Sequence, residues 1–192
     1  MKIDKVGKIT INKIVDLMKK GEVFIFPTDT VYGLIADATN KKAVGKIFKI
    51  KKREKGKSLP IFVKSIEDAR KIAKIDKYQE KLLKKFWPGK ITTVLFRKKT
   101  KVKLYGVDKK TIALRIPKYK LINDLQNKID FPLTGTSANI SGKPASIKID
   151  EVIQQFKSQK TKPDFIINAG NLKPSKSSRV FDLTGKKLKI LR

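Results

Sequence analysis

The chain has 192 residues, 40% of them apolar, which is enough for one domain with a buried core and short for two. Lys and Arg number 47 against 17 Asp and Glu, a formal net charge of +30, so the molecule attracts polyanions such as RNA, DNA, nucleotides or anionic lipid. With no Cys and no His, disulfides, Cys/His zinc sites, thiol nucleophiles and imidazole acid–base chemistry are excluded. Any chemistry falls to Lys, Arg, Ser, Thr, Tyr, Asn, carboxylates, the backbone or a hard metal ion. Lysine is spread along the whole chain rather than gathered in a tail, so a lysine-rich surface with no nucleic-acid role accounts for the charge equally well.

In chain order, "MKIDKVGKIT" carries no apolar signal core, and no later run reaches the ~18 apolar residues of a membrane span; a cytoplasmic protein is expected. Ile11, Ile14, Val15 and Met18 recur at helical spacing, and Gly21 stops that helix. "EVFIF" reads as a buried strand ended by Pro27. Ala43, Val44, Ile47 and Phe48 give a helix over about 40–50 behind an Asn40 cap. "LPIFV" is a short strand, and Ser65 to Asp68 has a capping-box pattern that opens a helix. Tyr78, Leu82, Leu83 and Phe86 mark another helix, ended by "WPG". "ITTVLF" and "TIALRI" are strands, Leu121 to Lys128 a helix, and "FPLTGT" a strand that runs into "GTSANISGKP". Val152, Gln155 and Phe156 suggest a last helix, "DFIIN" a strand, and "RVFDLTGKKLKIL" a closing hairpin. Early alternation of helices and strands, with strands crowding later, predicts an α/β fold: a single domain over 1–192 with a twisted mixed β-sheet flanked by helices. Ligands of such sheets sit at loops beyond strand ends, so the loops after "EVFIF", after helix 40–50 and after "PLTGT" should be neighbours.

Four segments carry candidate chemistry. "GTSANISGK" resembles a phosphate loop, but six residues separate Gly135 from Gly142 and Pro144 follows the Lys, so the Walker pattern fails. What remains is a tight loop of hydroxyls and amides, with Gly135 and Gly142 read as positions needing conformations closed to bulkier residues. "KIKKREKGKS" holds six basic residues in ten, and Lys51, Arg53 and Lys57 could converge on one polyphosphate. "FPTDTVYGL" offers small polar side chains for a pocket wall. Arg115 stands inside the apolar strand "ALRIPKY", where its charge needs either an internal carboxylate or a ligand carboxylate.

The order of these pieces, "FPTDTVYGL", Lys51-x-Arg53, "WPGKIT", "ALRIP", "TSANISGKP" and "SSRVFDL", resembles the YrdC family over about residues 10–192. The resemblance is to its short, single-domain form. The family implies a threonylcarbamoyl-AMP synthase, which makes threonylcarbamoyl-adenylate and pyrophosphate from L-threonine, bicarbonate and ATP for the threonylcarbamoyladenosine modification of tRNAs that read ANN codons. By this resemblance Lys51 and Arg53 are catalytic. Arg53, Lys57, Thr136, Ser137, Asn139, Ser146, Arg192 and the backbone at Ile112 bind ATP, and Thr30, Arg115 and Ser178 bind threonine. Mg²⁺ is expected with ATP, with no carboxylate cluster marking its ligands. Partners implied are weakly and electrostatically bound tRNA or other RNA and a downstream threonylcarbamoyl transferase complex, with no membrane. Three positions depart from the family: Glu54 stands where Pro is frequent, Lys90 where "WPGP" is usual, and Phe62 where many longer members place a histidine that contacts threonine. Two other readings remain at this stage: a YrdC-like RNA-binding protein without synthase activity, and a carbamoyl-transfer module of the kind carried by hydrogenase maturation proteins.

Overall fold

A computed structural model describes residues 1–54, 56–185 and 187–192. In chain order the elements are β1 (Lys2–Lys5), α1 (Ile11–Lys19), β2 (Phe24–Phe26), β3 (Gly33–Asp37), α2 (Lys41–Lys51), β4 (Ile61–Phe62), α3 (Ile66–Ile72), α4 (Lys77–Phe86), β5 (Ile91–Phe96), β6 (Thr111–Arg115), α5 (Lys120–Asn127), β7 (Leu133–Ser137), α6 (Ile149–Lys157), β8 (Phe165–Asn168), β9 (Arg179–Asp182) and β10 (Lys189–Ile190). The ten strands form one sheet in the order β1-β8-β2-β3-β7-β4-β6-β5-β9-β10, with parallel and antiparallel neighbours mixed. This is the α/β mixed sheet that the sequence predicts.

Local signals explain the helix starts. Thr10 caps α1 by accepting the Lys13 amide at 3.2 Å, and Asn40 caps α2 by accepting the Lys42 and Ala43 amides at 3.0 and 3.1 Å. Ser65 caps α3 through the Asp68 amide. The reciprocal capping box forms one helix later, between Asp76 and Gln79 of α4, where the Gln79 side chain is long enough to reach back to the Asp76 amide at 3.0 Å.

Strand alternation then sorts the core. Phe24, Phe26, Ile35 and Leu133 face α1 and α5, while Ile25, Leu34 and Ala36 face α2 and α6. A third cluster packs α3 and α4 against Leu95, Ile112 and Leu114 on the other half of the sheet.

Two strands go beyond the sequence reading. The edge strand β1, with the sequence KIDK, has a single apolar residue and so shows no apolar period, and β3 lies within what reads as a polar pocket wall and a loop. The closing hairpin is short: β9 and β10 pair antiparallel through Asp182 with Lys189 and Phe181 with Ile190, and Lys186 of that segment lies outside the described residues.

Candidate active site

One face of the sheet from β3 across to β9 carries a cavity, and period-two alternation paves it. Gly33 of β3, Gly135 and Ser137 of β7, Phe62 of β4, Ala113 and Arg115 of β6, Thr92 and Val94 of β5 and Val180 of β9 form the floor of a cavity of about 310 Å³. Three loops make its rim. Thr28 and Thr30 come from the exit of β2, Arg53 and Ser58 from the loop after α2, and Thr136 and Ser137 from the end of β7. These are the three loops that the sequence pointed to as neighbours. Ser178 and Arg192 close the far side. A larger cavity of about 1040 Å³ lies on the other side of Arg53 and Ser58, lined by Val44, Phe48, Tyr105 and exposed lysines; it holds neither the threonine nor the serine–asparagine motif.

Arg115 is the best-defined side chain of the site. It is 4% exposed, and its guanidinium meets Asp29 Oδ1 at 2.7 Å, the Gly89 carbonyl at 2.9 Å through Nε, and Thr30 Oγ1 at 3.3 Å. The internal carboxylate is therefore present, and Asp29 is itself held by the Lys118 amide at 3.1 Å. An arginine has five N–H donors, of which three are used here, so two remain for a ligand in a cavity that Arg115 lines. Burial lowers the Arg115 guanidinium from its ordinary range, Asp29 opposes that shift, and the charge of Arg192 adds to it.

Arg53 donates to the Lys57 and Ser58 carbonyls at 3.0 and 2.9 Å, and Arg192 donates to the Ser178 carbonyl at 2.9 Å. Burial, followed by the nearby charge of Arg192, lowers the Arg53 guanidinium as well. Three arginines thus share one cavity whose adjoining carboxylate, Asp29, is already engaged. Such a field attracts an anion.

Lys51 differs from the picture of a converging cationic loop. The residue is 2% exposed, and its ammonium donates to the Ser137 carbonyl at 2.5 Å, the Asn139 carbonyl at 2.8 Å and Asn139 Oδ1 at 3.0 Å, while the Lys51 main-chain carbonyl accepts from the Ser141 amide at 2.8 Å. Burial pushes it down to about 7, with Arg53 repelling it further. It fastens the loop after β7 rather than facing the cavity. Lys57 points outward and pairs with Glu54 at 3.2 Å, both largely exposed, so the expected convergence of Lys51, Arg53 and Lys57 reduces to Arg53. Lys55 of the same segment lies outside the described residues.

The other expected residues divide in the same way. Thr30, Thr136, Ser137, Ser178 and Arg192 line the cavity. Ser178 Oγ lies 3.0 Å from Thr92 Oγ1, and Ser137 Oγ donates to Asn139 Oδ1 at 2.6 Å. Asn139 supports the loop from behind through the Lys143 carbonyl at 2.5 Å. Ser146 donates to Glu151 at 2.6 Å and accepts from the Lys148 amide at 2.9 Å, ordering the entry to α6. Ile112 is 1% exposed and points into the opposite core, with Ala113 the member of that pair that faces the cavity. Gly142 does adopt a positive φ, +85°, but Gly135 is needed for space: a Cβ there would lie 2.4 Å from Cζ of Phe62.

Sequence reasoning missed Asp29 as the partner of Arg115, although it sits conspicuously in "PTDT", and it missed the apolar floor of Val94, Ala113 and Val180. Among the described residues no group of three or more acidic side chains could hold a metal ion, and no helix is long and apolar enough to cross a membrane.

A family model described as telomere recombination, covering Sua5, YciO and YrdC, matches residues 16–192. A relative from Methanocaldococcus jannaschii, provisionally named a threonylcarbamoyl-AMP synthase, is 35% identical over all of this chain and 91% of its own length. A threonylcarbamoyl-AMP synthase from Psychromonas ingrahamii is 31% identical over 93% of this chain and 95% of its own. The crystal structure of Pyrococcus abyssi Sua5 complexed with L-threonine is similar over the whole chain at a TM-score of 0.86 and 34% identity; this chain spans 57% of that one. The match over nearly the whole length, in sequence and in fold, places the chain in the Sua5, YciO and YrdC family.

Proposed function

We propose that this protein is a threonylcarbamoyl-AMP synthase, joining L-threonine, bicarbonate and ATP into threonylcarbamoyl-adenylate and pyrophosphate. The observation that carries the reading is the cavity of three arginines and converging hydroxyls, in a fold whose relatives carry that name and one of which was crystallised with threonine. In this reaction the neutral threonine amine captures carbon dioxide formed from bicarbonate, and the proton the amine sheds leaves with the bicarbonate hydroxide as water, giving a carbamate. A carbamate oxygen then attacks the α-phosphorus of ATP, and the bond from that phosphorus to the oxygen bridging to the β-phosphate breaks to release pyrophosphate. Nothing in the sequence of steps needs an imidazole or a thiol. It needs orientation of two substrates and neutralisation of charge on the phosphates.

The two spare N–H groups of Arg115 suit the threonine carboxylate, beside Thr30 and Ser178. Arg53 and Arg192 suit the triphosphate, with Thr136 and Ser137 along the phosphates and ribose. Lys51 contributes by holding that loop in shape. Asn139 and Ser146 act on the nucleotide through the same loop and the α6 entry, and Lys57 and the backbone at Ile112 remain at the margin of the nucleotide site. Mg²⁺ would arrive with ATP and would offset phosphate charge beside Arg53 and Arg192; Asp29, a carboxylate adjoining the cavity, is engaged by Arg115. The product, a reactive mixed anhydride, calls for a threonylcarbamoyl transferase complex to consume it on tRNA. RNA itself is bound weakly through charge.

The test is pyrophosphate release by the purified chain. Release that requires threonine and bicarbonate together, with appearance of the threonylcarbamoyl-adenylate mass, is expected. Binding of RNA with no such release would leave the RNA-binding reading in its place.

A further inference from the structure

We propose that Phe62 is the wall that limits the size of the amino-acid side chain this protein accepts; the proposal rests on the synthase reading above and concerns the same cavity. Phe62 on β4 and Arg115 on β6 are register partners in a parallel pair, so their side chains stand next to each other on one face of the sheet. A carboxylate anchored on Arg115 therefore leaves the rest of the amino acid beside the Phe62 ring. The ring is fixed there. It is 5% exposed and lies over Gly135, where any Cβ would come within 2.4 Å of Cζ, so the absence of a side chain on β7 makes its seat.

Behind the ring is a second cavity, of about 340 Å³, whose lining includes Ile72, Val102, Ile129 and Phe131. Phe62 is the one described residue that borders both this space and the 310 Å³ cavity of the active site. It is thus a partition between two preformed volumes. Threonine fits in front of it. A branched or aromatic side chain that needs more depth meets the ring, although a space of mixed lining, with Lys64, Asp68, Lys71, Gln126 and Asp130 beside its apolar residues, lies beyond.

Shortening the side chain should open the partition, and the experiment compares wild type, Phe62→Ala and Phe62→Leu. Amino-acid-dependent, bicarbonate-dependent pyrophosphate release is measured with threonine, leucine and phenylalanine, beside calorimetric titration of each amino acid. The ratio of kcat/KM for leucine over threonine should rise in Phe62→Ala by roughly tenfold or more, the worth of a methylene or more in an apolar pocket, with the KM for ATP unchanged. Phe62→Leu, which keeps more of the core filled, should shift the ratio in the same direction by less. Should Phe62→Ala fail to give a cooperative melt, the leucine variant decides. An unchanged ratio in a folded variant overturns the proposal. If wild type releases no pyrophosphate with threonine, the synthase reading has failed. The wall is then judged by calorimetry alone, where gain of leucine binding supports it and no gain overturns it.

Discussion

At the scale of single residues, the site is an exercise in where buried charges go. An arginine inside "TIALRI" demanded an anion, and two candidates were legible from the sequence: an internal carboxylate or a ligand. The structure supplies the first, Asp29, and leaves donors for the second. Both side chains are almost fully buried, 5% and 8% exposed, so cutting the pair strands a charge. Arg115→Leu should lower the stability of the ligand-free protein by roughly 3–5 kcal/mol in chemical denaturation, and Arg115→Leu with Asp29→Leu should recover much of that loss. A single variant as stable as wild type would show that Asp29 is solvated in another way. Lys51 offers a second test. Its folded value of about 7 lies below the ordinary lysine range because burial disfavours the ammonium. Below about pH 7 the folded and unfolded chains both carry the proton, and above about 10.4 neither does. Between those limits the unfolded chain holds a proton that the folded one has shed, so stability rises with pH, by up to about 1.4 kcal/mol per unit. Lys51→Met should flatten that rise relative to wild type in urea titrations run from pH 7 to 10. Identical slopes in the two proteins would mean that the ammonium keeps its proton, held by its three oxygen acceptors.

At the scale of elements, the active site is made by what the strands omit as much as by what they carry. Phe62 of β4 pairs in register with Leu133 of β7 and lays its ring over Gly135, two residues further along, and the two cannot both be bulky. Gly135→Ala should cost roughly 1–3 kcal/mol, as overpacking of a fixed ring does, and should raise the KM for threonine more than that for ATP. An unaffected melting temperature would show that the ring yields. This constraint was invisible in the sequence, where Gly135 looked like a turn glycine; its backbone is ordinary and its purpose is a contact from another strand. β3 was hidden for a related reason. "GLIAD" is buried on both faces and follows a polar strand exit, so neither alternation nor a turn marks its start. Helices were far more legible, because each carries its own amphipathic face and most begin at a side-chain cap. The loops that meet at the cavity could be named in advance for a topological reason: the exits of β2 and β7 and the entry to β4 lie at the same end of one sheet. Which of their side chains turn inward could not. Lys51, Arg53 and Lys57 look equivalent at alternate positions, yet α2 continues through Lys51 and buries it, while Lys57 turns to solvent.

At the scale of the whole molecule, the charge of +30 has to be divided between the cavity and the surface. The three arginines that bound the cavity are set by hydrogen bonds to Asp29 and to main-chain carbonyls, which fixes them for a small anion. The lysines are a different population. Most are exposed along the helices and loops; those that pair do so mainly with carboxylates three or four residues away, as in α4 and α5. Such a surface attracts any polyanion at long range and selects none, because mobile ammonium groups make point-charge contacts and read no bases. RNA should therefore bind with an affinity that falls steeply with added salt, at least roughly tenfold from low to physiological ionic strength, and similarly for tRNA and for an unrelated RNA of equal length. Replacing exposed lysines that line neither cavity, Lys81 and Lys85 of α4 for example, with glutamine should weaken RNA binding and reduce the salt slope while leaving threonine-dependent pyrophosphate release intact. Fluorescence anisotropy of both RNAs across a salt series measures this. If tRNA is preferred and the preference persists at high salt, then part of the surface recognises shape or bases, and the lysine coat has a more specific purpose than attraction.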